Sequence, residues 1–263
     1  MVWTSLAMKM PRNSFRQDLR EKRRLVGLFV GLGSPYSMEI LATAGFDWLL
    51  IDAEHSPNTP ASVLPQLQAA APYPAALAVR PVNHDPALIK QYLDVGVQTL
   101  LAPLVSNAAE AGALVRAMRY PPQGIRGVGG SLARAARWNG VKDYTMQADA
   151  EMCLIVQIET RQGLENLDAI LAVEGVDAAF IGPADLAASL GHLGDSGHPE
   201  VRAAIESALR RIAASSKAAG VFVTDPMLAQ HYYSCGASFI AVGGDTTLLR
   251  NAALGLAASF RDG

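Results

Sequence analysis

Eight short apolar runs, separated by amphipathic stretches, constrain this chain more than anything else in it. They are "LVGLFV" (25–30), "FDWLLI" (46–51), "ALAVR" (76–80), "QTLLA" (98–102), "CLIVQI" (153–158), "DAAFI" (177–181), "GVFV" (220–223) and "SFIAV" (238–242). The runs are continuous rather than alternating, the pattern of strands buried on both faces of a parallel sheet. Between them, "SMEILATAG" (37–45), "PASVLPQLQAAA" (60–71), "DPALIKQYLD" (85–94) and "TRQGLENLDAIL" (160–171) are suited to helices. Eight strands with helical connections in roughly 250 residues predict an α/β fold, a (β/α)8 TIM barrel. A doubly wound open sheet is the main competitor. It usually has fewer strands, and no G-x-G-x-x-G follows the first run.

Half of the 263 residues are hydrophobic and 17% are charged, enough for one large core. We read a single catalytic domain over residues 13–263, after an N-terminal extension of residues 1–12. A net charge of −2 gives no basic footprint for nucleic acid or for a membrane surface. No apolar run approaches the roughly 18 residues of a membrane span. "MVWTSLAMKM" lacks the features of a signal peptide, and Met8 and Met10 offer later starts. Cys153 and Cys235 read as small core residues, so a reducing cytoplasm is the expected location. Two stretches break the rhythm: residues 120–151, too long for a simple helix-to-strand connection, and the Gly- and His-rich residues 186–199.

In a barrel of this kind the residues just after each strand gather on one face, where active sites lie. Here they form a biased set: Asp52, Glu54 and His55 after strand 2, Arg80 at the end of strand 3, Gln157 and Glu159 at strand 5, Asp185 after strand 6 and Asp245 after strand 8. Glu159 and Asp185, on adjacent strands, suit a hard divalent ion such as Mg²⁺ or Mn²⁺; a salt bridge or a helix cap would also account for them. Zinc is disfavoured, because the histidines show no H-x-x-x-H or clustered Cys/His spacing. His55 beside two carboxylates fits a general base, or else a core histidine. Arg80 cannot lose its proton and so can face a carboxylate or an enolate oxygen. The "GPA" backbone (182–184) before a helix offers N–H groups to an anion. A metal, a fixed cation, a base and an anion-binding turn together suit 2-oxo acid chemistry. Lys9, Lys22, Lys90, Lys142 and Lys217 are not placed for imine formation, so no Schiff-base lysine is expected.

At these residues the chain resembles the HpcH/HpaI aldolases, the class II pyruvate aldolases, and within them the branch acting on 4-hydroxy-2-oxo-heptane-1,7-dioate. The matching stretches are "GFDWLLIDAEHSPN", "VRP", "DVGVQTLLAP", "RYPPQGIRGVGGSLARAARWN", "VQIETR", "GVDAAFIGPADL", "HPEV" and "GGDTTLL", in order along nearly the whole barrel. The resemblance implies a reversible retro-aldol cleavage of 4-hydroxy-2-oxo acids, such as 4-hydroxy-2-oxoheptanedioate, to pyruvate and an aldehyde such as succinate semialdehyde, in aromatic compound catabolism. It implies a divalent metal (Mg²⁺, Mn²⁺ or Co²⁺) on Glu159 and Asp185. Pyruvate would contact Gln157, Asp185 and the backbone at Gly182 and Ala184. Arg80 would steady the enolate, and His55 would act as base, with Asp52 in its network. Asp94 would raise the basicity of the histidine. Since Asp94 ends a helix and faces the other end of its own barrel, that partnership is expected to cross a subunit interface. The resemblance also implies a homohexamer in which the C-terminal helix, "LLRNAALGLAASF", exchanges between subunits.

Phe29 and Phe222 stand where close relatives often carry Trp and Leu, which bears on the aldehyde and not on the reaction. Arg126, Arg134 and Arg137 of the 120–151 stretch could meet the far carboxylate of a diacid or an acidic neighbour. A citrate lyase β-subunit-like enzyme acting on acyl-CoA, a barrel that binds an organic anion without catalysis, and a phosphosugar enzyme using "GGDTT" are the alternative readings.

Overall fold

Each of the eight apolar runs forms a strand, and all pair in parallel into a closed barrel in chain order. The computed structural model describes residues 8–261, so residues 1–7 of the N-terminal extension lie outside it. The strands are β1 (Leu25–Val30), β2 (Trp48–Asp52), β3 (Ala76–Arg80), β4 (Thr99–Ala102), β5 (Cys153–Ile158), β6 (Val176–Ile181), β7 (Ala218–Phe222) and β8 (Phe239–Gly244). Their helices are α1 (Ser14–Arg20), α2 (Pro35–Ala42), α3 (Pro60–Ala70), α4 (Pro86–Val95), α5 (Ala108–Met118) and α6 (Tyr144–Gln147), then α7 (Arg161–Glu165), α8 (Leu167–Leu171), α9 (Pro183–Leu190), α10 (Pro199–Ala214), α11 (Pro226–Ser234) and α12 (Asp245–Ser259).

Continuous apolar runs are what this arrangement requires, because each strand faces side chains inside the barrel and helices outside it. Trp48, Leu50, Ile155, Phe180 and Phe239 fill the interior, while Leu49, Ile51, Val79, Val156 and Ile181 face the helical layer. Trp48 needs Gly27 opposite it, since a Cβ there would lie 2.2 Å from the indole. Helix α1 closes the N-terminal end of the barrel. Its Phe15 stacks on Trp48 at 5.5 Å and meets Phe239 edge-on at 6.3 Å, both residues being the first of their strands.

Two expectations are modified. The helix expected over 160–171 is split at Asn166, whose side chain donates to the Ser106 carbonyl at 2.9 Å. The expected excursion 186–199 begins as helix: α9 extends to Leu190 and ends where Gly191 takes a left-handed φ of 96°. Within the remainder, His198 caps α10 by accepting from Glu200 N at 3.2 Å, and His192 pairs with the Glu200 carboxylate at 2.9 Å.

The 120–151 stretch joins α5 to β5, which puts it at the N-terminal end of the strands, opposite the face that carries active sites in this fold. It folds around its own small core of Tyr120, Ala135, Ala136, Val141, Tyr144 and Ala148, against which Met10 packs. Met8 pairs with Val141, and Arg12 forms an ion pair with Glu151 at 2.5 Å.

Candidate active site

Strand register builds the first half of the site. Asp52 and Arg80 are the last residues of β2 and β3 and sit opposite one another in the pairing. Arg80 therefore reaches Asp52 with both edges of its guanidinium, Nε to Oδ1 at 2.8 Å and Nη2 to Oδ2 at 2.9 Å. Both side chains are buried. Burial opposes the charge on Asp52, but the hydrogen bonds and charge of Arg80 outweigh it and hold the carboxyl below its ordinary range. The remaining Arg80 nitrogen, Nη1, lies 3.1 Å from Glu54 Oε2 and 3.5 Å from Gln157 Oε1. The Phe29 ring, with its centroid 5.0 Å away, backs the guanidinium.

The loop after β2 is folded on Asp52. Its Oδ1 accepts from Glu54 N at 3.1 Å and His55 N at 3.5 Å, and its carbonyl accepts from Asn58 Nδ2 at 2.8 Å and from the Ser56 hydroxyl. The His55 ring projects outward, with its side chain 63% exposed and Nε2 3.5 Å from Glu54 Oε2. Asp52 thus fixes the backbone of His55, and the ring's carboxylate neighbour is Glu54. Burial raises the Glu54 carboxyl despite the opposing charges of Arg80 and His55.

On the far wall, Gln157 donates to Glu159 Oε2, and Leu104 N donates to Glu159 Oε1 at 2.8 Å. Glu159 is 1% exposed, and its carboxyl is pushed up to about 7. Burial is the main cause; the Leu104 hydrogen bond works against it, and the nearby charges of Asp185 and Glu54 add to it. Gly182 makes room for this arrangement, since a Cβ there would lie 2.3 Å from Glu159 Oε2 and 2.7 Å from Gln157 Nε2. The Gly182 N–H donates to Ile158 O at 3.2 Å and Pro183 has none, so Ala184 and Asp185 supply the open N–H groups at the start of α9. Asp185 lies in that first turn, exposed. It does not supply the cap, because the N-cap residue is Gly182.

Several of these groups line a cavity of about 390 Å³, and the Glu159 carboxylate lies behind Gln157 and Gly182 of its wall. His55, Arg80, Gln157 and Asp185 form its polar side, and Phe29, Phe180 and Phe222 its apolar side. The volume suits a small metabolite. The site can therefore hold a small organic anion between a fixed cation and a helix start, near the Asp185 and Glu159 carboxylates, whose charges act on one another and whose oxygens suit a hard divalent ion.

Asp94 is not brought to this cavity within one chain. It sits in the last turn of α4, where Arg126 Nη2 donates to its Oδ1 at 3.1 Å. Of the three arginines in the 120–151 stretch, Arg126 thus meets an acidic neighbour, buried between Tyr120 and Tyr144. Arg134 and Arg137 donate to the carbonyls of Val95 and Arg134. The "GGDTT" start of α12 is filled from within: Asp245 is buried and accepts from Gly31 N at 2.8 Å and Leu32 N at 3.1 Å. A carboxylate there disfavours phosphate, which removes the support for a phosphosugar enzyme. Glu54, to which the sequence gives no role of its own, touches both Arg80 and His55. Only its place two residues after Asp52 hinted at this. Ser196, Thr224 and Tyr232 also line the cavity, and nothing in their local sequence marks them.

Residues 25–252 match the family described as HpcH/HpaI aldolase/citrate lyase. The chain belongs to this family. A member from Deinococcus radiodurans named hydroxypyruvate/pyruvate aldolase is 62% identical over 250 residues, covering 95% of this chain and 90% of its own. One from Escherichia coli named 4-hydroxy-2-oxo-heptane-1,7-dioate aldolase is 58% identical over 248 residues, covering 94% and 95%. Among solved structures, an HpcH/HpaI family protein from Burkholderia cenocepacia J2315 superposes with a TM-score of 0.91 at 40% identity, covering 95% of this chain and 99% of its own.

Proposed function

We propose that the protein is a divalent-metal-dependent aldolase that reversibly cleaves 4-hydroxy-2-oxo acids, 4-hydroxy-2-oxoheptanedioate among them, to pyruvate and an aldehyde such as succinate semialdehyde. The observation that carries this reading is one cavity bordered by a doubly held guanidinium, an exposed imidazole and the Asp185 carboxylate, with the buried Glu159 carboxylate directly behind Gln157 and Gly182 of its wall. The names of the relatives agree with it and extend the donor to hydroxypyruvate.

The donor set fits a hard cation. Glu159 and Asp185 offer oxygen only, and a buried carboxyl held near 7 is a group whose charged form gains from a cation beside it. Glu159 and Asp185 would hold Mg²⁺, Mn²⁺ or Co²⁺, which when bound supplies Lewis-acid neutralisation of the substrate's carboxylate and 2-oxo oxygens. The N–H groups of Ala184 and Asp185 receive the substrate carboxylate, and the Gln157 amide orients it. His55 takes the proton of the C4 hydroxyl, the C3–C4 bond breaks to release the aldehyde, and the electron pair moves toward the 2-oxo group. Arg80 faces the oxygen that gains charge, and its hold on Asp52 keeps it in place before the substrate arrives. Protonation at C3 then completes pyruvate.

The assembly is part of the reading. In α12 every residue from Thr246 onward is exposed, including Leu248, Leu249, Leu254 and Leu256, a face that a second copy of the chain would cover. A homohexamer with α12 exchanged between subunits, and with Asp94 of one subunit near His55 of the next, accounts for both features.

The test is pyruvate release from 4-hydroxy-2-oxoheptanedioate by metal-stripped protein, with and without Mg²⁺, Mn²⁺ or Co²⁺. Release restored by metal and insensitive to borohydride is expected. No release with any of the three ions would overturn the reading.

A further inference from the structure

Away from the cavity, three ligand-type side chains converge between α10 and α11. The sequence contains no H-x-x-x-H, which speaks against zinc, but "HYYSC" (231–235) spaces His231 and Cys235 four residues apart, on one face of α11. Glu206 of α10 meets them. His231 Nε2 is 2.9 Å from Glu206 Oε1 and 3.8 Å from Cys235 Sγ, and the three ligand atoms lie within 4.8 Å of one another.

A tetrahedral Zn²⁺ with its usual bond lengths would set nitrogen and oxygen about 3.3 Å apart, and nitrogen and sulfur about 3.6 Å apart. The two distances to His231 need adjustments of less than about half an ångström to meet that, and the Glu206 oxygen and Cys235 sulfur, within 4.8 Å of one another, need to close to about 3.6 Å. His231 lies in the last turn of α11 and Cys235 caps it, where the helix end favours positive charge. Arg210 completes the surroundings. Its Nη2 donates to Glu206 Oε2 at 3.0 Å and to Cys235 Sγ at 3.2 Å. It thereby holds the carboxylate oxygen that faces away from His231 and touches the sulfur, as outer partners of metal ligands do. Cys235 forms no disulfide, and the His231 side chain is 47% exposed, which leaves solvent a path to a fourth position.

We propose that Glu206, His231 and Cys235 form a Zn²⁺ site separate from the cavity, with water as the fourth ligand. Thiolate and imidazole select a borderline-soft ion, the reverse of the oxygen-only pair Glu159 and Asp185. On binding, the Cys235 thiol proton passes to solvent, the neutral His231 ring carries its proton on Nδ1 and offers the Nε2 lone pair, and no electron transfer is involved. The ion ties α11 to α10, and since α11 carries Leu228 and Tyr232 to the cavity wall, it fixes that wall. Its role is structural.

Co²⁺ serves as the optical probe. The whole protein, titrated under non-thiol reductant, should develop a near-ultraviolet thiolate-to-cobalt absorption band that an equal amount of Zn²⁺ removes. The band should be absent in Cys235→Ser, with unchanged far-ultraviolet circular dichroism. Should serine at 235 prevent folding, His231→Gln, on a half-exposed side chain, reads the same site and should weaken cobalt binding at least about tenfold. No band in the wild-type protein at excess Co²⁺ overturns the proposal. So does a band that survives in folded Cys235→Ser, which would place the ion on Cys153, or an unchanged affinity in His231→Gln.

Discussion

Arg80 is the residue on which most of the site depends. It holds Asp52 with two hydrogen bonds, touches Glu54, and reaches toward Gln157. Arg80→Lys keeps the charge and loses the fork, so kcat should fall by about 100-fold in a cleavage assay, with a smaller change in stability. Arg80→Ala leaves Asp52 buried and unpaired and should cost about 3–5 kcal/mol in denaturant unfolding. Glu159 gives a pH signature. Its folded pKa, about 7, stands above the ordinary 4.5, so its protonation favours the native state. That stability is fully present below about pH 4.5 and is lost as pH rises through 7, a swing of about 3 kcal/mol. Metal-stripped protein should therefore lose stability between pH 5 and 8 in thermal melts, and Glu159→Gln should flatten that slope. A slope unchanged in the variant would assign the effect to another group. At this scale the sequence was informative about kind and poor about contact. Residue type and place after a strand picked out Asp52, His55, Arg80, Gln157 and Glu159. That Glu54 rather than Asp52 faces the imidazole depends on how the loop after β2 folds back on the Asp52 carbonyl, which no periodicity encodes.

Among the elements, the strands were the most legible part of the chain. Continuous apolar runs bounded by turn residues have few other uses, and β1, β3 and β5 begin and end where the runs do. Helices were legible as segments but not at their breaks, because Asn166 interrupts α7 and α8 through a distant carbonyl. Helix α1 escaped notice, since seven residues with two apolar positions carry little signal before the barrel they plug is known. The turn from β6 into α9 offers a local test. Gly182→Ala would drive a methyl group into Glu159 and Gln157, and overpacking of this kind costs about 1–3 kcal/mol. The variant should fold and bind Mn²⁺ at least about tenfold more weakly by calorimetry. Unchanged affinity would mean that Glu159 is not held against Gly182 for the sake of an ion.

At the scale of the whole molecule, the barrel followed from the count of strands, whereas the assembly does not follow from one chain. Helix α12 reads as amphipathic in sequence, but it leaves four leucines exposed and has only Asp245 buried. Paired charges at those leucines, Leu248→Asp with Leu254→Asp, should dissociate the proposed hexamer in sedimentation velocity without unfolding the barrel; an unchanged sedimentation coefficient would free α12 of that role. If Asp94 serves a neighbour's His55, then His55→Ala and Asp94→Asn proteins, each inactive alone, should recover activity when dissociated and reassembled together. The central claim, that this cavity turns a 2-oxo acid into its enolate with the help of an ion on Glu159 and Asp185, is independent of the aldehyde. It is tested most directly by following exchange of the pyruvate methyl hydrogens with deuterated water by mass spectrometry. Exchange that requires Mg²⁺ or Mn²⁺ and falls to background in Glu159→Gln and Arg80→Lys is the predicted result. Exchange undiminished after metal removal, or none with any divalent ion, would contradict it.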